Sequence, residues 1–270
     1  MSGNKKDRIQ DMLTNAAGVA DIAERSRKYR NIVGILSMEA ARSGDPWFLD
    51  EAVKTAGLVT DDPSKAYVEI IRAMAKIGVN KKDERTLNEA FGITERIDND
   101  LDLSVALHEL VAAFAKAGVD KRDERLISYS LELAGKIPLD TYHSSAFRNI
   151  ARLLAGSAPI KAQELLEKAI ELIEKSEDTK PVYLVSAFCD IATLLSILDD
   201  KRSYGFIRKA ITLAHGIADD FESSAALLKI VETENAIGTR HKDDGLLKEA
   251  VAISKGITRE YYKTLALDAI

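Results

Sequence analysis

The residue types that most often perform chemistry are few and widely spaced in this sequence. The four histidines are His108, His143, His215 and His241, and none belongs to the His-Glu-x-x-His motif of zinc hydrolases. A nucleophilic thiol needs an electropositive, accessible setting, and Cys189 lies instead on an apolar helical segment. We therefore expect no metal site, and we interpret Cys189 as a buried, inert thiol.

Phosphate chemistry and acid–base chemistry also lack their usual sequence signals. The segments "SGDPW" and "GSAPI" have neither the spacing nor the Lys-Ser/Thr pair of a phosphate-binding loop. No pair of carboxylates stands in visibly opposed environments, as general acid–base catalysis requires. The sequence thus predicts no catalytic residue and no cofactor, and it favours a protein that is not an enzyme.

Composition limits the function classes further. The chain has 270 residues, 46% of them hydrophobic and 30% charged, which is typical of a globular protein. Its net charge of −5 gives no electrostatic basis for general nucleic-acid binding. The polar start "MSGNKKDRIQ" is not a secretory signal, and no apolar run could span a bilayer. With a single cysteine, we expect a cytoplasmic protein without membrane contact.

A repeat of about 40 residues organises the chain. One segment, here called helix A, opens with an alanine and carries apolar residues four and eight positions later, as in Ala106, Leu110 and Phe114. This spacing predicts an α-helix. The opening alanines are Ala66, Ala106, Ala146, Ala187, Ala226 and Ala266.

A second segment, here called helix B, follows each helix A. It carries Leu or Ile and, three positions later, a small residue that would let two helices approach closely. These marks are Leu13/Ala16, Leu49/Ala52, Leu87/Ala90, Ile127/Ser130, Leu166/Ala169, Ile207/Ala210 and Leu247/Ala250. The pattern predicts an all-α, right-handed superhelix of six helix pairs with a half pair at each end. We expect a loose tail over residues 1–7 and a single helical-repeat domain over 8–270.

Two nearly identical segments, "GVNKKDERTL" from Gly78 and "GVDKRDERLI" from Gly118, mark the joint between helix A and helix B. We expect each glycine to end helix A in a left-handed conformation, and the following acidic residues to begin helix B. In the first pair, Asp45 is the expected N-cap and Pro46 the first helical residue; Pro159 is expected to start a later helix B.

Paired helices repeated along almost the whole chain resemble the tetratricopeptide-like class of α-solenoids. This resemblance implies a curved stack of helix pairs that is used for contact with other proteins. It also implies that helix A lines the concave face of the stack.

The polar residues three and six positions after the opening alanine of helix A would then line a groove. We expect the partner-binding residues to be Glu69, Arg72, Glu109, Asn149, Arg152, Asp190, Lys229 and Glu232. The alternative is a solvated stripe held by local ion pairs. The leading hypothesis is a non-catalytic scaffold for a protein or peptide. The alternatives are an enzyme with a site assembled across repeats and an RNA-binding repeat protein, which would need stacking aromatics.

The loops from helix B to helix A are acidic, and N-capping of the next helix A explains them better than a docking edge for a basic partner. Their acidic residues are Asp61, Asp62, Asp98, Asp100, Asp102, Asp140, Glu177, Asp178, Asp219, Asp220 and Glu222. At the last helix A, Leu265, Leu267 and Ile270 form an apolar face without a following helix B. Either the natural chain continues past Ile270 or a terminal half pair meets another chain; we expect self-association through at least one terminus, with a two-fold dimer as the favoured form.

Overall fold

The computed structural model of the chain describes residues 3–176 and 179–270. Within these residues all regular structure is helical, which confirms the all-α class. The fourteen α-helices are α1 Gly3–Ala17, α2 Ile22–Ser43, α3 Pro46–Ala56, α4 Ser64–Lys81, α5 Glu84–Ile93, α6 Asp100–Lys121, α7 Glu124–Ala134, α8 Asp140–Leu154, α9 Pro159–Lys175, α10 Pro181–Ile197, α11 Ser203–His215, α12 Asp220–His241, α13 Asp244–Gly256 and α14 Glu260–Asp268. None of them combines the length and apolarity needed to cross a bilayer.

The helices alternate along the chain as the two sequence marks predict. The odd-numbered helices carry the helix B mark, and the even-numbered helices from α4 onward carry the helix A mark. Helix α2 contacts α3, α4 contacts α5, α6 contacts α7, α10 contacts α11 and α12 contacts α13, so these helices pack in pairs. Helix α2 lacks the mark but takes the place of helix A in the first pair. Successive helices A also contact each other: α2 with α4, α4 with α6, α10 with α12, and α12 with α14.

The contacts divide the chain into two compact units, Met1–Ala146 and Phe147–Ile270. The sequence predicts a single domain over 8–270. Repeated helix pairs contact mainly their neighbours, so such a chain has no contacts that tie distant pairs together. Residues 3–7, expected to be a loose tail, belong to α1. Lys5 Nζ lies 3.0 Å from Glu39 Oε1, and Lys6 Nζ lies 2.8 Å from Asp45 Oδ2.

The core of each unit is built from the positions that the repeat marks. Ala106, Leu110 and Phe114 are completely buried along one face of α6. The small residues of helix B are buried at every pair, which allows close helix contact. Those with no exposed surface are Ala52, Ala90, Ser130, Ala169, Ala210 and Ala250. Burial at every pair is what the interpretation of these residues as points of close helix packing requires.

The joint between helix A and helix B is where the sequence predicts it, but its glycines have a different role. Helices α4 and α6 continue past Gly78 and Gly118, and the left-handed residues are Lys82 and Arg122, each with φ of 55°. The expectation that glycine ends the helix is therefore wrong. The carbonyl of Gly118 accepts a hydrogen bond from the N–H of Asp123 at 2.8 Å, which closes the turn.

Close packing of helix B explains why glycine stands at these positions. A Cβ on Gly118 would lie 2.9 Å from the backbone nitrogen of Ile127 and 3.1 Å from the carbonyl oxygen of Asp123. A Cβ on Gly238, near the end of α12, would meet the side chain of Leu247 at 2.9 Å, so the joint occurs a third time in a less similar sequence.

Aspartate caps each of these helices B. Asp83, Asp123 and Asp243 accept hydrogen bonds from two backbone N–H groups in the first turn. Asp45 caps α3 ahead of Pro46. Helix α9 begins at Pro159. The acidic start of helix B, the cap at Asp45 and the helix start at Pro159 are therefore confirmed.

Capping by the acidic B-to-A loops is confirmed only in part. Asp219 accepts a hydrogen bond from the N–H of Glu222 and caps α12. The cap of α6 is Asn99 rather than one of its acidic neighbours, and Pro63 precedes α4 without a side-chain cap. Glu177 and Asp178 lie outside the described residues.

A buried serine near the start of helix A binds the next loop in four repeats. Its Oγ accepts a hydrogen bond from a backbone N–H 34 or 35 residues later. The pairs are Ser26 with Thr60, Ser64 with Asp98, Ser104 with Leu139 and Ser224 with Arg259. Because this bond joins equivalent points of consecutive repeats, it fixes their spacing.

Candidate functional site

The stripe of polar residues on helices A forms ion pairs that cross from one repeat to the next. In the first unit, Arg72 Nη1 lies 2.8 Å from Glu69 Oε1 on the same helix. Arg72 Nε lies 3.0 Å from Glu109 Oε1 on α6. The structure thus brings three of the predicted groove residues together, and this part of the stripe carries one net negative charge.

In the second unit, one carboxylate of the stripe lies among three basic side chains. Asp190 of α10 lies 3.5 Å from Arg152 Nη2 of α8 and 3.2 Å from Lys229 Nζ of α12. Arg148 Nε lies 3.9 Å from the other carboxylate oxygen. One carboxylate therefore meets three cations. Two of these cations have partly exposed side chains: Lys229 is 39% exposed and Arg152 is 50% exposed.

Arg148 is a member of this cluster that the sequence interpretation missed. Only 7% of it is exposed, and burial lowers the pKa of its guanidinium to about 10, while the Asp190 carboxylate acts in the opposite direction. Equivalent positions of other helices A hold Val68, His108, Cys189 and Leu228. Because the position accepts a polar residue in one other repeat, the sequence pattern does not by itself indicate that Arg148 is buried.

The remaining predicted groove residues lie on the same helices. Asn149 is half-buried next to Arg148, and Glu232 is exposed on α12, one turn after Lys229. With Glu232 included, the stripe residues of this unit sum to zero charge, and the remaining positive charge is that of the buried Arg148.

Among the described residues, Cys189 is buried and two of the histidines bind serine hydroxyls. Cys189 is 1% exposed, and burial raises the pKa of its thiol to about 12, which confirms the interpretation of a buried thiol. His108 and His241 hydrogen-bond to the hydroxyls of Ser145 and Ser196 at 3.0 and 2.8 Å. No group of three or more His, Cys, Asp or Glu side chains among the described residues could hold a metal ion.

Glu234 on α12 is the most unusual side chain of the second unit. It has no exposed surface, and neither carboxylate oxygen has a hydrogen-bond partner among the described residues. Burial is the main cause that raises the pKa of Glu234 to about 8; the nearby Glu249 carboxylate adds to this and Arg208 opposes it. Burial at this position therefore favours the protonated acid over the carboxylate.

The repeat itself marks Glu234 as an exception. It stands eight positions after Ala226, where the pattern requires an apolar core residue. The equivalent residues of other repeats are Met74, Phe114, Leu154 and Leu195. A comparison of all copies at this position would have found the site from the sequence.

Glu234 and Glu249 occupy the positions of an aromatic pair in an earlier repeat. There, Phe114 and Tyr129 pack edge to face with ring centroids 4.9 Å apart. In the last complete pair both positions are glutamates. Arg208 of α11 reaches this pair, with Nη1 3.5 Å from Glu249 Oε1.

Glu249 also lines a cavity of about 560 Å³ between α11, α12 and α13. Its walls include Ile211, His215, Leu227, Glu249, Ile253 and Thr258. A second cavity of about 690 Å³ lies between α9, α10 and α11 and includes Arg208. The second unit thus has consecutive clefts between its helices B.

Comparison with known proteins identifies no family. No protein-family model matches the chain, and no curated protein matches it. Among solved structures, the crystal structure of Ton1535 from Thermococcus onnurineus NA1 aligns over 98% of this chain and 96% of that chain, with 14% identity and a TM-score of 0.28.

Proposed function

We propose that this protein is a non-catalytic helical-repeat scaffold that docks a protein or peptide along the exposed stripe of its helices A. The observation that supports this proposal is the set of cross-repeat ion pairs, which within each unit place polar side chains of successive helices A on one face. The right-handed superhelix with helix A on its concave side is part of the proposal.

The energetics of the stripe suit reversible docking. Exposed ion pairs such as Arg72–Glu109 contribute roughly 0–1 kcal/mol each, so a partner can replace them at little cost. In the second unit, the cluster around Asp190 carries more positive than negative charge. Charge complementarity then favours a partner segment that has basic residues opposite Glu69 and Glu109 of the first unit and an acidic residue opposite Arg152 or Lys229 of the second.

Photo-crosslinking can test the proposed docking face. A benzophenone amino acid is placed at Ala112 or Glu232, which lie on the stripe in the first and second unit and make no ion pair described above. We expect both positions to crosslink to the same protein partner in an extract of the native cell.

Matched positions on helices B provide the control. Glu89 on α5 and Lys255 on α13 are exposed in the same two units, and the label there is expected to give no crosslink to that partner. Equal crosslinking from helices A and B would contradict the proposal. Crosslinking of RNA from the stripe would favour the RNA-binding alternative.

A further inference from the structure

Helix α13 packs less completely on α12 than its counterpart α7 packs on α6. Ile127 and Leu133 of α7 are buried, whereas the equivalent Leu247 and Ile253 of α13 are only partly buried. Among the described helices, α13 packs against α12 and α14 alone, and the cavity of about 560 Å³ lies between α13, α11 and α12. Side chains along an unfilled cavity lose packing contacts. We therefore expect α13 and α14 to separate from α12 at a low free-energy cost.

The carboxyl group of Glu234 lies where α13 covers α12. In the first unit, the equivalent Phe114 contacts Tyr129 of α7, and Glu249 of α13 takes the place of that tyrosine. Glu234 has no exposed surface, and neither of its oxygens has a hydrogen-bond partner among the described residues. A carboxylate in this position would lack both water and a donor, and the nearby Glu249 carboxylate would repel it. The closed interface therefore disfavours a negative charge on Glu234.

The groups that face Glu234 from the packed helices do not compensate such a charge. Arg208 of α11 is 73% exposed, and its 3.5 Å contact is with Glu249, so its attraction for Glu234 is screened by water. On α10, Cys189 is a buried thiol whose raised pKa keeps it neutral, and Asp190 lies among three cations. Nearby charged residues of α12 and those of α14 make no hydrogen bond to this carboxyl group; they are Lys229, Glu232, Glu260, Lys263 and Asp268.

Ionised Glu234 gains its water shell only when α13 moves away from α12. We propose that ionisation of Glu234, with release of its proton to solvent, opens α13 and α14 away from α12, so that this end of the second unit responds to a rise in pH. The loosely packed interface and the unpartnered carboxyl group lie at the same place, so one movement relieves both. This inference is independent of the docking proposed for helices A.

The pH range of the opening follows from the two states of the interface. Burial is the main cause that raises the pKa of Glu234 to about 8 in the closed form, and an exposed glutamate has its ordinary value of 4.5. The closed form is therefore most favoured below pH 4.5 and becomes less favoured as the pH rises to about 8. Between pH 6 and pH 8 this linkage increases the opening equilibrium about 50-fold, and the increase levels off at higher pH.

Amide hydrogen exchange of the whole protein, followed by mass spectrometry at pH 6 and pH 8, measures the opening. After correction for the intrinsic exchange rate at each pH, protection of α13 and α14 is expected to fall about 50-fold between these values. Helices α9 and α10 of the same unit, and α6 and α7 of the first, are expected to change by less than about threefold. Unchanged protection of α13 and α14 would overturn the proposal. An equal loss in α9 and α10 would also overturn it, because the whole unit would then unfold together.

A conservative variant assigns the response to one side chain. Glu234→Gln has nearly the shape of the protonated acid and cannot ionise, so its α13 and α14 are expected to keep the same protection at pH 6 and pH 8. Glu232→Gln is the matched control, because Glu232 is exposed two residues earlier on α12, and this variant is expected to show the wild-type response. A pH response that persists in Glu234→Gln, or one that Glu232→Gln also abolishes, would contradict the assignment to Glu234.

Discussion

Replacement of Glu234 by leucine is expected to stabilise the protein by about 3–5 kcal/mol at pH 9. The folded state raises the pKa of this carboxyl group from 4.5 to about 8, and a tenfold change in an acid's ionisation constant corresponds to about 1.36 kcal/mol. Leucine removes that cost and restores the apolar residue found at Leu154 and Leu195. Urea unfolding at several pH values measures the effect.

The sign of the pH dependence follows from whether the folded and the unfolded protein favour the protonated acid or the carboxylate of Glu234. The folded state prefers the protonated acid, and the unfolded state ionises above 4.5. With respect to this group, the free energy of unfolding of the wild-type protein is therefore greatest below pH 4.5, and it falls as the pH rises to about 8. The advantage of the leucine variant grows over this window and is constant above it.

Glu232→Leu is the matched control, because Glu232 is exposed two residues earlier on the same helix. Its effect is expected to stay within about 0.5 kcal/mol at every pH. A leucine variant of Glu234 that is no more stable than wild type at pH 9 would show that the carboxylate is solvated or paired in solution.

Replacement of Gly118 by alanine is expected to destabilise the first unit by about 2–3 kcal/mol. The added Cβ would lie 2.9 Å from the backbone nitrogen of Ile127, so no side-chain rotation can relieve the contact. The same change at Gly238 is expected to cost less, because its nearest contact is the flexible end of Leu247. Urea unfolding followed by circular dichroism provides the comparison.

Gly34→Ala separates this steric effect from helix propensity. A Cβ at Gly34 meets no described atom within 4 Å, and alanine favours a helix interior by roughly 0.5–1 kcal/mol. This variant should therefore be more stable than wild type. If Gly118→Ala is also stabilising, the close approach of α6 and α7 does not hold in solution.

The sequence predicts the order of the helices because two periodic marks report burial directly. Each small residue of helix B is spaced about 40 residues from the next, and close helix contact requires this residue type at every pair. The role of Gly118 is different, since a glycine near a helix end fits both a left-handed cap and a close contact. Only the coordinates of Ile127 distinguish these explanations.

For the stripe, helical spacing indicates which side chains share a face, but it does not give their partners across repeats. The pairing of Arg72 with Glu109 and of Lys229 with Asp190 depends on the distance and rotation between adjacent helices. Arg148 and Glu234 were missed for another reason. Glu234 stands at a position that is apolar in the four other copies, and it becomes visible only when those copies are compared. The position of Arg148 also holds His108, so the burial of Arg148 follows from the packing and not from the pattern.

The docking face on helices A is the central claim, and charge reversal tests it most directly. Arg152→Glu combined with Lys229→Glu inverts the basic part of the stripe, whereas Lys175→Glu combined with Lys255→Glu makes the same charge change on helices B. Affinity is measured for the partner that crosslinks to Ala112 and Glu232. We expect the stripe variant to lose at least tenfold in affinity, or about 1.4 kcal/mol, and the helix B variant to bind as wild type does. Equal affinity of the two variants, or a larger loss in the helix B variant, would contradict docking along helices A.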